Sequence, residues 1–158
     1  MNKYPLLVAI LTLALLLPTA INAEEAHVLY VIDGDTLVVR LKNKIEHIRI
    51  VGIDTPELHD KKSGVAQCYA QEARRELINR AAKKIIQIER DPLTQNRDVY
   101  GRYLRIVHAG ALSLGEHLIK NGFARVYTRS PATHSDTLMA LQLTAQKNKK
   151  GLWGACKK

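Results

Sequence analysis

The sequence lacks the patterns of several common metal, membrane and repeat classes. It contains two cysteines, with no histidine beside them at ligand spacing, which argues against a structural zinc site. The EF-hand spacing and paired histidines are also absent, so two other familiar kinds of metal site are excluded. There is no internal repeat or low-complexity segment, and a length of 158 residues is typical of one domain with one core.

No apolar run is long enough to span a membrane, which requires about 20 residues. The longest extends from Leu6 to Leu17, after a basic residue and ahead of a small residue, Ala23. This order is typical of a secretory signal peptide, and an uncleaved anchor is the alternative. We expect residues 1–23 to be a signal peptide and residues 24–158 a single domain. The mature protein is then exported, periplasmic or secreted, and has no stable membrane association.

Acidic residues are few relative to basic ones, with 15 Asp and Glu against 24 Lys and Arg and a net charge of +9. The basic residues are spread along the chain in pairs, such as Lys61-Lys62 and Lys83-Lys84, and form no dense run. A polyanion is the natural partner of such a chain, but the excess charge could equally serve to keep an exported protein soluble.

Cys68 and Cys156 are the only cysteines, and export to an oxidising compartment predicts that they pair. Chain-entropy reasoning values a bridge over this separation at roughly 4 to 5 kcal/mol, as an upper figure. Two unpaired thiols are the alternative, because a sequence does not give the distance between the two Cα atoms.

Hydrophobic periodicity and turn residues predict the order β-β-β-α-β-β-α-β-α. The strands are expected at 27–32, 36–41, 45–53, 84–90, 102–108 and 123–127. The helices are expected at 66–82, at 114–120 behind a capping box formed by Ser113 and Glu116, and from Ser135 or Asp136 to Gly151. A β-rich α+β fold follows, in which five of these six strands form a Greek-key barrel of the OB type that carries three helices.

Four carboxylates, those of Asp33, Asp35, Asp54 and Glu57, lie within two short stretches of the chain, 31–36 and 49–57. Such groups repel one another unless a cation, protons or distance relieves the repulsion, and a hard divalent cation is the simplest relief. Asp35 and Asp54 offer oxygen ligands, and the Thr55 carbonyl can add a third. Asp33 would contact these ligands without binding the ion itself. Few protein ligands leave water on the metal, which suits Ca²⁺ or Mg²⁺.

Each segment also has a plain structural reading. Asp33-Gly34 is a common hairpin-turn dipeptide, and the segment 54–57 could be a strand end stiffened by proline. Arg49 could be an edge-strand arginine that reaches water. Strict pleating places Arg49 and Asp54 on opposite faces, so their convergence requires an irregularity, for which a bulge at Gly52 is one possibility.

Several landmarks in order resemble the staphylococcal nuclease (thermonuclease) family. They cover nearly the whole mature chain and comprise Ile32–Thr36, Arg49–Glu57, the helix start at Glu72-Ala73, Asp98–Arg102, Asn121–Ala124 and Gly151–Trp153. The resemblance implies the OB-type barrel with three helices, export, and Ca²⁺-dependent hydrolysis of DNA and RNA phosphodiesters. It also implies that the three oxygen donors proposed above are the calcium ligands.

The same resemblance assigns roles to the remaining site residues. Arg49 and Arg102 correspond to the arginines that grip the scissile phosphate, and Glu57 corresponds to the general base. Two guanidinium groups can hold a phosphate bidentately and neutralise charge as it develops. Tyr100 and Tyr127 are the aromatic candidates for substrate binding by stacking or hydroxyl contact, although core packing is an alternative for Tyr127.

We therefore expect an exported, monomeric, Ca²⁺-dependent nuclease that acts on DNA and RNA with low sequence specificity. Water attacks the phosphodiester, the 5′-oxygen leaves, and the resemblance implies a product with a 3′-phosphate end. The alternative is an OB-type module that binds single-stranded nucleic acid without cutting it.

Overall fold

The computed structural model describes residues 23–157. The signal peptide expected at 1–23 therefore lies, apart from Ala23, outside the described residues. Within the described part of the chain, none of the helices combines the length and the apolar character needed to traverse a bilayer.

Eight strands and four helices follow one another along the described chain. The strands are β1 Glu24–Val31, β2 Thr36–Leu41, β3 Lys44–Ile50, β4 Ile53–Asp54, β5 Ile85–Glu89, β6 Tyr103–Ala109, β7 Leu112–Ser113 and β8 Arg125–Val126. The helices are α1 Ala70–Ala81, α2 Leu114–Lys120, α3 Ser135–Lys147 and α4 Leu152–Ala155.

Five strands close into a barrel, as the sequence predicts. They are hydrogen-bonded in the order β3-β2-β1-β5-β6, and β3 also pairs with β6. This closing pairing is parallel and joins Ile48 with Tyr103 and Ile50 with Arg105, whereas the other barrel pairings are antiparallel. Closure leaves no free edge in the barrel wall.

The barrel is filled by aliphatic side chains, since branched residues suit a curved, half-buried surface. Leu77 of α1 and Leu118 of α2 belong to the same core, so these helices pack on the barrel. The buried strand residues include Val28, Leu37, Val39, Ile48, Ile50, Ile86, Ile88 and Val107.

Four sequence expectations need correction. The strand expected at 45–53 ends at Ile50 as β3, because the chain turns at Val51 and Gly52 before β4. The strand expected at 123–127 is reduced to β8, which pairs with β4 outside the barrel. The first helix begins at Ala70 instead of residue 66, because Tyr69 adopts a left-handed conformation with φ of 73° that a helix does not accommodate. The last predicted helix ends at Lys147, and α4 is a separate short helix after Gly151.

Cys68 and Cys156 form a disulfide, with their Cα atoms 5.8 Å apart. The bridge joins Cys68, two residues before α1, to Cys156, which directly follows α4. It therefore ties the C-terminal end of the described chain to the loop between β4 and α1.

Candidate active site

Asp35 lies immediately before β2 and is held by a dense set of hydrogen bonds. Its Oδ2 accepts from the backbone nitrogen and the hydroxyl of Thr55, both at 3.0 Å. Its Oδ1 accepts from the Thr36 hydroxyl at 3.1 Å. The Asp33 carboxylate accepts from the Asp35 backbone nitrogen at 3.0 Å, which is the local turn bond expected of an aspartate at this position. Asp35 and Thr55 therefore form one rigid unit, supported by Asp33.

Asp35 is only 5% exposed, and this environment opposes its ionisation. Burial raises the pKa of Asp35 to about 7, with the Arg49 charge working against the rise and the Asp33 charge adding to it. A buried carboxylate in this position is stabilised in its charged form by any further positive charge placed beside it.

Arg49 faces Asp35 and Asp54 together, so the convergence that strict pleating opposed does occur. Its Nη1 lies 2.5 Å from Asp35 Oδ2, and its Nη2 lies 3.0 Å from Asp54 Oδ1. The irregularity is a turn at Val51 and Gly52 that separates β3 from β4, with a φ of 77° at Gly52; the bulge that we considered there is not needed. The Arg49 side chain is 13% exposed, so it does not extend to water as an edge-strand arginine would.

The Nη1 of Arg49 is taken up by Asp35. It is buried and lies against Asp35 Oδ2 as an ion pair, although the contact does not have the geometry of a hydrogen bond. Arg49 is therefore held between the Asp35 and Asp54 carboxylates, and these two contacts fix the position of its guanidinium group.

Arg102 is positioned by Asp98, a residue for which the sequence predicted no role of its own. The Asp98 carboxylate accepts from Arg102 Nε at 2.7 Å and from its backbone nitrogen at 3.0 Å. Arg102 Nη1 donates to the Thr36 hydroxyl at 3.2 Å, and that hydroxyl donates to Asp35. Polar contacts thus connect Arg102 with the unit around Asp35 and Arg49. The separation of four residues between Asp98 and Arg102 was the signal that could have revealed the pair.

Glu57 lies within electrostatic range of this cluster. Its pKa is raised, first by burial and then by the negative charges of Asp33 and Asp54, while the positive charges of Arg49 and Arg102 oppose the rise. A carboxylate with a raised pKa is a better proton acceptor than an ordinary one. Glu57 therefore lies near Arg49 and Arg102, although it is not among the residues that line the cavity beside the two arginines.

The positions of Asp35 and Asp54 determine whether the site can bind a metal ion. Within residues 23–157, no three side chains of histidine, cysteine, aspartate or glutamate surround a common point. Asp35 and Asp54 nevertheless meet on either side of Arg49, and the Asp54 side chain is 51% exposed to water. The exposed Asp54 carboxylate and the buried Asp35 carboxylate together fit a hard, partly hydrated cation such as Ca²⁺ or Mg²⁺, with the Thr55 carbonyl as the third donor expected from the sequence.

A cavity of about 530 Å³ opens beside the two arginines, a volume typical of small-molecule sites. Both predicted tyrosines line it, as do Arg49, Arg102 and Arg129. Tyr100 is 71% exposed, and the guanidinium carbon of Arg102 lies 5.4 Å from the centre of its ring. An aromatic ring and several cations around one cavity suit a nucleotide with its phosphate.

Two loops line this cavity, and a buried aspartate joins them. Leu93 and Gln95 belong to one loop, and Ser130 and Pro131 to the other. Asp91 accepts from both the backbone nitrogen and the hydroxyl of a residue in the second loop, at 2.8 and 2.7 Å. No sequence pattern indicated this contact, because the two partners are 42 residues apart.

Comparison with known proteins decides the family. The staphylococcal nuclease homologue family matches residues 47–155 of the chain. The chain belongs to the staphylococcal nuclease family. It is 34% identical over 133 residues to a thermonuclease of Staphylococcus hyicus, an alignment that covers 84% of this chain and 77% of the relative.

Other members of the family give the same result. The chain is 31% identical over 140 residues to a thermonuclease of Staphylococcus intermedius, across 85% of this chain and 79% of the relative. It is 35% identical over 127 residues to the endonuclease YncB of Bacillus subtilis, across 77% of this chain and 58% of that longer protein. The chain is thus a nuclease of the thermonuclease family.

Proposed function

We propose that the protein is an exported, Ca²⁺-dependent nuclease that hydrolyses phosphodiester bonds of DNA and RNA with low sequence specificity. The observation that carries the proposal is that Arg49 and Arg102 line the same cavity. Two guanidinium groups at one cavity can bind the oxygens of a phosphate bidentately.

The chain's own residues account for most of the chemistry. Arg49 and Arg102 hold the scissile phosphate and neutralise the charge that develops on its oxygens in the pentacoordinate state. Glu57 orients a water molecule and accepts its proton. The water oxygen forms a bond to phosphorus as the bond from phosphorus to the 5′-oxygen breaks. The leaving oxygen takes a proton from solvent, and the product retains a 3′-phosphate.

Asp35, Asp54 and the Thr55 carbonyl are the residues that would hold the Ca²⁺ ion. When bound, the ion supplies positive charge that makes the phosphate more electrophilic. Asp35 and Asp54 lie on either side of Arg49, and carboxylate oxygens are donors that a hard divalent cation prefers.

The cavity supports recognition of a nucleotide without reading of its sequence. Tyr100 and Tyr127 offer contacts that any base or phosphate can use, and the overall positive charge favours a polyanion. The predicted signal peptide and the Cys68–Cys156 bridge support export to an oxidising compartment. We further propose that the mature protein is a monomer and has no stable membrane association.

The test is cleavage of plasmid DNA and of RNA by the purified protein in Ca²⁺, in Mg²⁺ and in chelator. We expect both substrates to be degraded in Ca²⁺ and to survive in chelator. Intact nucleic acid in Ca²⁺, together with a retained gel shift, would instead show a module that binds nucleic acid without cutting it.

A calcium titration tests the metal ligands. Asp54→Ala is expected to require much more Ca²⁺ for half-maximal activity, because it removes one of two carboxylates. The matched control is Asp136→Ala, an exposed position on α3, which should titrate like the parent. An unchanged titration for Asp54→Ala would remove Asp54 from the proposed ligands.

A further inference from the structure

The loop that begins with Glu57 has little contact with the core. We call residues 57–69 the Glu57 loop. Every residue from 61 to 68 is exposed, so apolar packing does not determine the course of this segment. Its shape must therefore depend on polar contacts and on the way in which its ends are attached.

The side chain and backbone of Gln67 close the Glu57 loop at its base. Gln67 Oε1 accepts from the Glu57 backbone nitrogen at 2.9 Å. The Gln67 backbone nitrogen donates in return to the Glu57 carbonyl at 2.8 Å. These reciprocal bonds clamp the backbone of the residue that carries the proposed catalytic carboxylate.

The same glutamine also organises the tip of the loop. Its Nε2 donates to Asp60 Oδ2 at 2.8 Å. Asp60 in turn accepts from the backbone nitrogens of Lys62 and Ser63 at 3.0 and 2.8 Å. One side chain thus connects the first residue of the loop with the turn at its far end.

The residues that follow Gln67 are anchored to the rest of the protein. Cys68 is bridged to Cys156, and the ring of Tyr69 stacks on Phe123 with 5.6 Å between the centroids. Ala70, the first residue of α1, is fully buried. Gln67 therefore directly precedes the first residue that is anchored to the rest of the protein, which is Cys68 in its disulfide with Cys156.

We infer that Gln67 is a positioning residue for Glu57, and that the Cys68–Cys156 bridge holds Gln67 in place. This inference rests on the proposed function, in which the Glu57 carboxylate activates water. Removal of the clamp leaves Arg49, Arg102 and the cavity untouched, so substrate binding persists. The Glu57 carboxylate then samples positions away from the attacking water, and displacements of about 1 Å are known to cost roughly 100-fold in rate.

The experiment compares steady-state kinetics of the parent, Gln67→Ala, Glu57→Ala and the double variant on single-stranded DNA in Ca²⁺. We expect Gln67→Ala to lower kcat by about 10- to 100-fold with KM within about threefold of the parent. Because Gln67 acts only through Glu57, the double variant should have the kcat of Glu57→Ala alone. The matched control is Gln71→Ala, another exposed glutamine just inside α1, which should behave like the parent.

Two results would overturn the inference while leaving the proposed function in place. One is a parental kcat for Gln67→Ala beside a strongly impaired Glu57→Ala. The other is an equal loss from Gln67→Ala in the parent and in the Glu57→Ala background, which would indicate general loosening of the fold. A parent that leaves DNA intact would overturn the proposed function and this inference with it.

The disulfide is tested in the same way with the double variant Cys68→Ser, Cys156→Ser. We expect a lower kcat, measured at a temperature where circular dichroism shows the variant to be folded, and a smaller loss than that of Gln67→Ala. In the Glu57→Ala background the bridge should have no effect on kcat. A folded, bridge-free variant with parental kcat would exclude the bridge from this role.

Discussion

The contact between Asp91 and Thr133 allows the cavity walls to be perturbed at a point remote from the catalytic groups. Asp91 is 1% exposed and lies after β5, whereas Thr133 lies just before α3. Asp91→Ala removes the acceptor that joins the two loops and leaves the arginines and carboxylates of the site unchanged.

The expected loss in the free energy of unfolding follows from the hydrogen bonds that Asp91→Ala removes. Asp91 accepts from the Thr133 backbone nitrogen at 2.8 Å, from the Thr133 hydroxyl at 2.7 Å and from the Leu93 backbone nitrogen at 2.9 Å. Hydrogen bonds to a charged group contribute about 1.5–3 kcal/mol each. Thr133 is exposed, so water replaces part of the loss. We therefore expect Asp91→Ala to lower the free energy of unfolding by roughly 3 kcal/mol.

Urea denaturation followed by the fluorescence of Trp153, the single tryptophan, measures this change. Thr133→Val is the matched variant, because it keeps the backbone nitrogen and loses only the hydroxyl, and we expect it to cost about 1 kcal/mol. Since the contact between Asp91 and Thr133 joins the two loops that line the cavity, Asp91→Ala should also raise KM more than it lowers kcat.

An unchanged denaturation midpoint for Asp91→Ala, with an unchanged slope, would refute this reasoning. A loss of stability without any rise in KM would show that the contact between Asp91 and Thr133 stabilises the fold but does not shape the substrate cavity.

Three further predictions concern other parts of the molecule. Arg102→Ala should lower kcat by at least about 100-fold with the melting temperature retained, and Arg102→Lys should fail to restore it because an ammonium lacks the planar fork; near-parental rates would exclude Arg102 from phosphate binding. Cys68→Ser should melt at a lower temperature than the parent under oxidising conditions, since it opens a bridge across 88 residues, and equal melting would show that the bridge contributes no stability. Burial raises the pKa of Glu76, but hydrogen bonds and charges from Arg80 and His117 outweigh it and lower the pKa overall. The stability that Glu76 contributes is thus present above its ordinary pKa of 4.5 and is lost as the pH falls through the lowered value. The difference in unfolding free energy between the parent and Glu76→Gln should shrink on acidification, and a constant difference would contradict this linkage.

Features that depend on near neighbours in the chain could be predicted from the sequence. The Asp33 carboxylate bonds to the backbone nitrogen two residues on, as the Asp-Gly turn indicates. The Ser113 hydroxyl accepts from the Glu116 backbone nitrogen at 3.5 Å, and α2 begins where the capping box predicts. Such contacts involve few residues and little loop entropy, so local residue chemistry is enough to specify them.

The order of strands and the barrel were also predictable, because alternating aliphatic residues must bury one face and a closed sheet achieves this without an edge. The limits of the elements were less predictable. The strand expected at 123–127 shrinks to β8 because its partner is the two-residue β4 outside the barrel, and the start of α1 is displaced by the conformation of Tyr69.

The sequence by itself therefore determined the family, the barrel and the kinds of group that form the site. Only the tertiary structure decided how those groups meet. Arg49 reaches Asp54 because the chain turns at Gly52, and Asp91 reaches Thr133 across 42 residues. The physical reason is that such long-range polar contacts depend on the packing of the whole barrel, whereas hydrophobic periodicity and turn chemistry act over a few neighbouring residues.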